Sequence, residues 1–283
     1  MEWYTIGEVS KHCKIPIRTL RYYDDIGLLK PDRISPETNY RYYSMEGMRK
    51  IPLIKYYKQL GFKLEDIARM LERPDFDVLE AYMAQELLIV ERQMAELQKK
   101  HFAIQEWYRL LKQGETLLAE PAAEPKIEIS MFPIYRTMKV RYEVKDRQEA
   151  DIEVLYSNVF VELCTRHNIY AYGPFMLHFE SFDRRVDRTF TEVDCYTAVI
   201  EDESNASMTA VIGGFQAVCL VHRGDYSTIG HTYRAVQDWA ERNEILLQGS
   251  SYERYIIDPW STTKRENYIT ELIVPIGGER AIV

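Results

Sequence analysis

The sequence lacks the features that define several large classes of protein. No apolar run approaches the ~20 residues of a membrane-spanning helix, and the N-terminus has no signal-peptide apolar core. Nucleophile-elbow, HExxH, P-loop and GxGxxG motifs are also absent. These absences predict a cytoplasmic protein and disfavour the enzyme classes that depend on those motifs.

Cysteine is scarce as well. The chain has four widely separated residues, with no CxxC pair and no histidine at metal-ligand spacing: Cys13, Cys164, Cys195 and Cys219. A structural zinc, an iron–sulfur cluster and a disulfide framework are therefore not expected. We predict scattered, buried thiols and neither a metal nor a cofactor.

Positive charge is scarce over the whole chain and concentrated at one end. The formal net charge is −8. Residues 1–70 carry 13 Lys+Arg against 9 Asp+Glu, a net of +4, whereas residues 125–283 carry 17 against 24, a net of −7. A cationic end on an acidic chain of about two domains predicts a DNA-binding head joined to a body with another task.

Two short helices are predicted at the start of this head. Thr5 and Glu8 fit a capping box that begins the first helix. Pro16 and Gly27 suit the start and the end of the second helix. The short connection between the two helices is typical of a helix-turn-helix.

The second helix has two different faces. Residues at helical spacing form an apolar face of Ile17, Leu20 and Tyr23 and a polar face of Arg18, Arg21, Tyr22 and Asp25. One side therefore packs, and the other presents two guanidinium groups and a phenol. That arrangement is typical of a recognition helix in a DNA major groove.

An aromatic hairpin follows the second helix. Proline and asparagine mark a turn before the run Asn39-Tyr40-Arg41-Tyr42-Tyr43, which favours strands. A hairpin carrying Arg41 and Tyr42 would form a wing that contacts phosphates. Residues 45–59, which include Lys58, and residues 64–71 predict two further helices. The alternative for the whole head is a small helical domain with a solvated basic face.

A heptad pattern occupies the middle of the chain. Apolar residues and one histidine recur at alternating steps of four and three: Met83, Leu87, Val90, Met94, Leu97, His101, Ile104, Tyr108 and Leu111. One lone helix cannot bury such a stripe, so its partner is another part of this chain or a second copy. We predict a homodimer through this stripe. Gly114 and residues 119–125 interrupt the pattern and predict a linker.

The body contains a weak internal repeat. Each half begins with a strand-like segment (residues 135–144 and 215–226), continues with an amphipathic helix and ends with two more strands. The two helices carry Ile152, Leu155, Val159 and Leu163 in the first half, and Ile229, Tyr233, Val236 and Trp239 in the second. Two βαββ units predict a duplicated α+β effector domain with a cleft between its halves. The predicted domains are therefore residues 1–74, 75–118 and 119–283.

One carboxylate in the body has an unusual setting. Strand alternation places Glu253 on the same face as Tyr255 and Ile257. A buried, unpaired carboxylate is costly, so it stays protonated or binds a cation. A lipophilic cation with delocalised charge would gain cation–π contacts from tyrosines. The alternative is a structural ion pair with an arginine such as Arg254 or Arg223.

The head resembles the winged-helix domain of MerR-type transcription regulators. The resemblance covers residues 4 to about 71, through YTIGEVSKHCKIPIRTLRYYDDIGLLKP and NYRYYS. It implies that such regulators bind promoter DNA as dimers, and bend and untwist it so that RNA polymerase engages both promoter elements. It places the DNA contacts on six residues: Arg18, Arg21, Tyr22, Arg41, Tyr42 and Lys58.

The body resembles the GyrI-like effector domain through VHRGDYSTIG, WAERN, GSSYERYIIDP and YITELIVPIG. Joined to the head, it looks like the BmrR-like multidrug-sensing activators, in which a glutamate and tyrosines hold cationic drugs. The resemblance implies a ligand site at Glu253, Tyr156, Tyr172 and Tyr268. Glu192 and Gly224 stand where related sensors have rings. Their replacements, inferred from position, are Phe175, Tyr255 and Trp260.

Two functions from different classes follow from these features. The first is a ligand-responsive transcription activator for bulky lipophilic cations that controls multidrug resistance. The second arises because some GyrI-like domains resemble hydrolases of small reactive compounds. In such an enzyme Glu253 would act as a general base beside a tyrosine. The fused DNA-binding head favours the activator.

Overall fold

The computed structural model describes residues 2–72, 75–120, 126–144, 161–162, 164–166, 169–200 and 209–277. The chain divides into two compact units, Met1–Glu96 and Leu97–Val283. The predicted helix over residues 152–163 lies largely outside the described residues. Within the described residues, no helix is both long enough and apolar enough to cross a membrane.

The N-terminal unit is a small helical domain with a three-stranded sheet of order β1-β3-β2. Its elements are β1 (Tyr4–Thr5), α1 (Ile6–Cys13), α2 (Ile17–Asp25), β2 (Arg33–Ile34), β3 (Arg41–Tyr43), α3 (Met45–Gln59) and α4 (Leu64–Glu72). The predicted capping box is present, because the Glu8 N–H donates to Thr5 Oγ1 and Glu8 Oε2 accepts from the Thr5 N–H. Gly27, at φ 75°, follows the end of α2.

The core of this unit is built from the inner faces of its helices. Leu20 and Tyr23 of α2 are buried together with Val9, Ile51 and Ile67. Ile17 does not join them. It is 38% exposed because it occupies the first turn of α2, so the apolar face is shorter than the sequence predicted. The opposite side of α2 is left facing outward.

Helix α5 (Phe76–Ala119) is a single uninterrupted helix of 44 residues. It continues through Gly114, so the prediction that Gly114 breaks the helix is wrong. Most members of the predicted heptad stripe are exposed, among them Leu97 at 66% and Ile104 and Tyr108 at 60% each. Among the described residues these side chains are left largely uncovered, so they form an exposed apolar stripe.

A second stripe on α5 is covered by the C-terminal unit. Its members, again at steps of four and three, are Ala103, Trp107, Leu110, Gly114 and Leu117. Leu110, Trp107 and Leu117 pack with Ile256, Ile257 and Ile269 of the sheet. The helix therefore has two apolar stripes, one docked within the chain and one exposed.

The C-terminal unit is built on an eight-stranded antiparallel sheet of order β4-β9-β11-β10-β6-β7-β5-β8. The strands are β4 (Glu128–Phe132), β5 (Tyr135–Glu143), β6 (Ala171–Phe179), β7 (Glu192–Val199), β8 (Thr209–Ile212), β9 (Phe215–Arg223), β10 (Ser251–Ile257) and β11 (Ile269–Pro275). The helices are α6 (Phe182–Val186) and α7 (Ile229–Arg242).

This strand order confirms the predicted duplication for the strands of the two halves, whereas the helix of the first half lies largely outside the described residues. Strands β5, β6 and β7 of the first half are adjacent in the order β6-β7-β5, and β9, β10 and β11 of the second half are adjacent in the order β10-β11-β9. The halves meet where β6 pairs with β10, with Glu253 opposite Leu177. The sheet thus places Glu253 at the centre of the domain. Strands β4 and β8 extend the two edges and were not predicted.

Helix α7 covers one side of the second half. Its buried residues Tyr233 and Val236 pack on Val218, Leu220 and Leu272 of the sheet. The apolar spacing in the sequence predicted this face correctly. Because α7 lies over the strands, the Tyr233 side chain reaches the centre of the sheet.

Candidate functional site

The head presents the predicted DNA-contacting residues in two settings. Arg18, Arg21 and Tyr22 are exposed on α2, and Lys58 is exposed in the last turn of α3. Helix α2 therefore turns two guanidinium groups and a half-exposed phenol outward. These side chains have the donors and the charge that phosphate and base contacts need.

The wing residues are more constrained. Arg41 lies on β3 with its Nε 2.6 Å from Asp24 Oδ2, and that hydrogen bond raises the pKa of Arg41. Tyr42 is half-buried on the same strand and pairs with Arg33 of β2. The ion pair fastens the wing to α2. Arg41 therefore positions the wing, in addition to any contact with DNA.

Glu253 is the centre of the C-terminal unit. It lies on β10 with no exposed surface. Its Oε1 accepts hydrogen bonds from Arg185 Nε at 2.7 Å and from the Tyr233 hydroxyl at 2.8 Å, and its Oε2 accepts from the Tyr255 hydroxyl at 2.7 Å. Both carboxylate oxygens are therefore engaged by donors of the chain itself.

The two phenols remain donors over the physiological range of pH. Burial, followed by the nearby charge of Glu253, raises the pKa of Tyr233 and the pKa of Tyr255 well above the ordinary value. The Tyr233 hydroxyl also lies 3.0 Å from Ser251 Oγ. Each phenol therefore stays protonated and donates a hydrogen bond to the Glu253 carboxylate.

Arg185, on the short helix α6, is the cation of this site. Its guanidinium carbon lies 4.8 Å from the ring centre of Phe179, 5.5 Å from that of Phe190 and 5.8 Å from that of Tyr233. Burial is the strongest single influence and opposes its charge, but the charge of Glu253, the nearby Tyr233 and the hydrogen bond to Glu253 together hold the pKa of Arg185 well above its ordinary value. The result is a buried, aromatic-lined ion pair.

This pairing corrects the sequence-based alternatives for Glu253. An arginine does pair with it, but neither of those expected. Arg254 pairs with Glu271 at 2.6 Å, and Arg223 donates to the backbone oxygen of Glu120 at 2.9 Å. Arg254 points away because adjacent residues on a strand face opposite sides of the sheet.

The predicted aromatic residues fall into three groups. Tyr255 and Tyr268 belong to the first, linked by Tyr226, whose ring centre lies 5.2 Å from that of Tyr255 and 5.0 Å from that of Tyr268. Phe175 and Trp260 form the second, with ring centres 4.8 Å apart. The first group adjoins Glu253 directly.

The second group contacts helix α5. The ring of Trp107 lies 6.1 Å from that of Phe175 and stacks at 6.3 Å on that of Trp260, and its Nε1–H donates to the carbonyl of Ala171. Trp107 also packs against the buried cluster that contains Tyr255 and Tyr268. The aromatic core around Glu253 is therefore in contact with α5.

Tyr172 stands apart from both groups. Its ring lies 4.9 Å from that of Phe102 of α5, and both line an open cleft of about 610 Å³ together with Lys99 and Arg136. Glu253 is not among the residues of this cleft. Tyr156, the remaining predicted ring, lies outside the described residues.

Sequence reasoning missed several residues of the site. The sequence did not distinguish Arg185 from its neighbour Arg184, although only Arg185 shares a helical face with Phe182. The apolar spacing of α7 places Tyr233 in the core. A phenol on a buried face needs a hydrogen-bond partner, and this requirement was the signal that could have linked Tyr233 to the site. Phe179, Phe190 and Tyr226 carried no distinguishing pattern.

The chemistry of this arrangement favours binding over catalysis. A carboxylate that is fully buried, ion-paired and hydrogen-bonded on both oxygens has no access to an attacking water and is a poor general base. Among the described residues, no group of three or more His, Cys, Asp or Glu side chains is arranged to hold a metal ion. A buried charge pair among aromatic rings has the composition of a cation-binding site.

Comparison with known proteins gives matches over both units. The model described as GyrI-like small molecule binding domain matches residues 126–277, which is 152 of the 283 residues. The models described as MerR HTH family regulatory protein and as MerR, DNA binding match residues 4–73 and 48–111. The matched regions together include the head, most of α5 and the Glu253 site.

Curated relatives match over nearly the whole length. The chain is similar to the multidrug-efflux transporter 1 regulator of Bacillus subtilis (25% identity, 97% of this chain, 91% of the relative) and to the multidrug-efflux transporter 2 regulator of the same organism (23%, 97% of each). A solved structure, the cryo-EM structure of an EcmrR–DNA complex in EcmrR-RPo, is 24% identical, covers 96% of this chain and 99% of that chain, and has a TM-score of 0.47.

Proposed function

Because this chain belongs to the family with a GyrI-like small molecule binding domain, here preceded by a MerR-type DNA-binding region, we propose that it is a ligand-responsive transcription activator. The ligand enters the C-terminal unit and the head acts on promoter DNA. The observation that carries this proposal is the buried Glu253 carboxylate, surrounded by tyrosine hydroxyls and rings and in contact through its aromatic core with α5.

The ligand class follows from the chemistry around Glu253. A carboxylate among aromatic rings recognises a cation whose charge is spread over a large apolar skeleton, since such a cation loses little on leaving water. We propose bulky lipophilic cations, held by Glu253, Tyr255 and Tyr268, with Phe175 and Trp260 beside them. Tyr156 and Tyr172 remain proposed members of the same ligand site. The names of the Bacillus subtilis relatives agree with a role in multidrug resistance.

The DNA-binding form is a homodimer. The stripe on α5 runs from Met83 to Leu111 and is exposed from Leu87 onward. It is an apolar surface that a second copy would cover, and its heptad spacing supports a helix pair. Two heads would then present Arg18, Arg21, Tyr22, Arg41, Tyr42 and Lys58 to a symmetric promoter site. Family resemblance supports remodelling of that DNA for RNA polymerase.

The alternative function, hydrolysis, has less support. The two Bacillus subtilis relatives, which match over nearly the full length, are named as regulators of multidrug-efflux transporters. The engaged, inaccessible carboxylate of Glu253 also disfavours general-base chemistry. We propose that the chain is not an enzyme and acts in the cytoplasm, where the promoter DNA is.

In vitro transcription from the gene's own promoter tests this function. Lipophilic cations should raise transcript yield with wild-type protein. Glu253→Gln should weaken cation affinity while DNA affinity stays nearly unchanged, because Glu253 lies in the C-terminal unit. Glu266→Gln, an exposed glutamate of the same unit, is the matched control. Equal losses of cation and DNA affinity in Glu253→Gln would refute the sensor assignment.

A further inference from the structure

Arg185 is bound by the chain in the way that a cationic ligand would be bound. Its guanidinium meets the Glu253 carboxylate at 2.7 Å, lies over three aromatic rings within 6 Å and is 5% exposed. A planar, delocalised cation among ring faces and a carboxylate is the composition expected of a cation-recognition site. In this conformation the cation position is already filled by the protein.

The charges leave no room for a second cation at this carboxylate. Arg185 and Glu253 sum to zero, and both oxygens of Glu253 already accept hydrogen bonds. A ligand cation added beside Arg185 would place two positive charges against one negative charge in a buried, weakly screened space. A cation can therefore engage Glu253 only if the guanidinium leaves.

Arg185 has exposed neighbours along the chain. It lies on α6, a helix of five residues whose neighbours Asp183, Arg184, Asp187 and Arg188 are all exposed. To leave Glu253, the long side chain of Arg185 would rotate toward this solvent-facing surface. There the guanidinium would regain water, and the carboxylates of Asp183 and Asp187 lie close in sequence.

We propose that Arg185 is a tethered competitor for the cation position, so that a cationic ligand binds by displacing the Arg185 guanidinium from Glu253. Arg185 then determines specificity. It favours flat cations with delocalised charge, such as amidinium and guanidinium groups, which replace its hydrogen bonds and its ring contacts. Compact ammonium ions replace neither set well. The inference rests on the proposed function in one respect, namely that Glu253 is the ligand site.

Benzamidinium and benzamide provide a matched pair of probes, because they share a planar shape and differ in charge. In calorimetric titrations of the full chain, Arg185→Ala should bind benzamidinium at least about tenfold more tightly than wild type, since the competitor is gone. Its affinity for benzamide should not change. Arg184→Ala, which removes the exposed neighbouring guanidinium, should match wild type for both probes.

A second substitution identifies the carboxylate as the target. In the double variant Arg185→Ala with Glu253→Gln, the gain in benzamidinium affinity should disappear. An Arg185→Ala variant that binds benzamidinium no better than wild type would overturn the inference. So would an equal gain for benzamide, because a charge-independent gain reports only an enlarged cavity.

Chemical labelling tests the same point in the wild-type protein and does not depend on the folding of a variant. Phenylglyoxal, read out by peptide mass spectrometry, should label Arg185 slowly in free protein and several-fold faster at saturating benzamidinium. Labelling of Arg184 should be fast in both states. Continued protection of Arg185 with the cation bound would overturn the displacement.

These experiments separate the inference from the proposed function. If lipophilic cations fail to activate transcription but removal of Arg185 creates a benzamidinium site, the tethered competitor stands and the proposed ligand class fails. If lipophilic cations activate transcription while the loss of Arg185 leaves cation affinity unchanged, the proposed function stands and the inference fails.

Discussion

The docking of α5 on the sheet can be tested at a single glycine. Gly114 is buried where the helix crosses β10. A Cβ atom added there would lie 2.5 Å from Ile257 Cγ1 and 2.6 Å from Ile257 Cδ1, well inside van der Waals contact. Ile257 is itself packed against Leu110 and Ile269, so it has little freedom to move aside.

The magnitude follows from two opposing effects of Gly114→Ala. Alanine in a helix interior is more stable than glycine by ~1 kcal/mol. Overpacking a well-filled core costs ~1–3 kcal/mol. We therefore expect Gly114→Ala to destabilise the C-terminal unit by roughly 1 kcal/mol, whereas an undocked helix would be stabilised by about the same amount. The sign of the change in the free energy of unfolding therefore distinguishes a docked helix from an undocked one.

Urea unfolding followed by tryptophan fluorescence is a suitable assay, because Trp107 and Trp260 stack beside this contact. Gly230→Ala in α7 is the control. Its added Cβ would approach only Arg234 Nη2, at 3.8 Å, so it should stabilise slightly. Ile257→Val removes only Cδ1, the atom 2.6 Å from the added Cβ, so the double variant with Gly114→Ala should lose less stability than the sum of the two single variants. A Gly114→Ala protein that is stabilised like Gly230→Ala would refute the docking.

Three other perturbations give distinct outcomes. Arg21→Ala should weaken specific promoter binding about tenfold to a hundredfold, and an unchanged footprint would contradict the role of α2. Leu97→Glu should disrupt the dimer in light scattering, whereas Leu88→Glu, off the stripe, should not. Burial alone would raise the pKa of Asp194, but hydrogen bonds from Arg141 and Lys139 hold it at about 2. Because the folded-state pKa of Asp194 is depressed, the contribution of Asp194 to stability is complete above pH ~4 and is lost as the pH falls through ~2. The urea midpoint of the wild-type protein should therefore decrease over this range, and the Asp194→Asn variant should lack this decrease.

Local signals in the sequence predicted most of the helices and the central strands. The capping box at Thr5, the apolar face of α7 and the alternation along β10 each depend on neighbours within a few residues. The edge strands β4 and β8 escaped prediction because they are short and are stabilised by pairing with β9 and β5, which lie far along the chain. Their residues carry little pattern of their own.

The candidate site was predictable only in part. Glu253 was identified from its apolar strand neighbours, but its partner Arg185 lies 68 positions away, and no local pattern selects it among the arginines. Tyr172 and Phe175 illustrate another limit. A register shift in β6 lies between these two residues. Strand alternation alone therefore cannot predict on which face of the sheet each ring lies.

The docked stripe of α5 was missed because its members are small or mixed. In the sequence alone, Ala103 is an ordinary helix-forming residue and Gly114 is a helix breaker. Their role in the stripe becomes visible only when the packing of the C-terminal unit is known. Glycine at Gly114 was interpreted as an interruption, whereas the structure uses its missing side chain for close approach to Ile257.

The two stripes of α5 overlap, and this overlap limits how the sequence can evolve. Between residues 103 and 111, Ala103, Trp107 and Leu110 face the sheet, and Ile104, Tyr108 and Leu111 are exposed on the other stripe. Six of these nine positions are therefore constrained, three by each stripe. From residue 87 to residue 97 the exposed stripe imposes the heptad requirement, whereas Met83 packs against the core of the N-terminal unit. Mutational tolerance should accordingly be lowest in the two turns from Ala103 to Leu111, where a substitution neutral for one contact still has to satisfy the other.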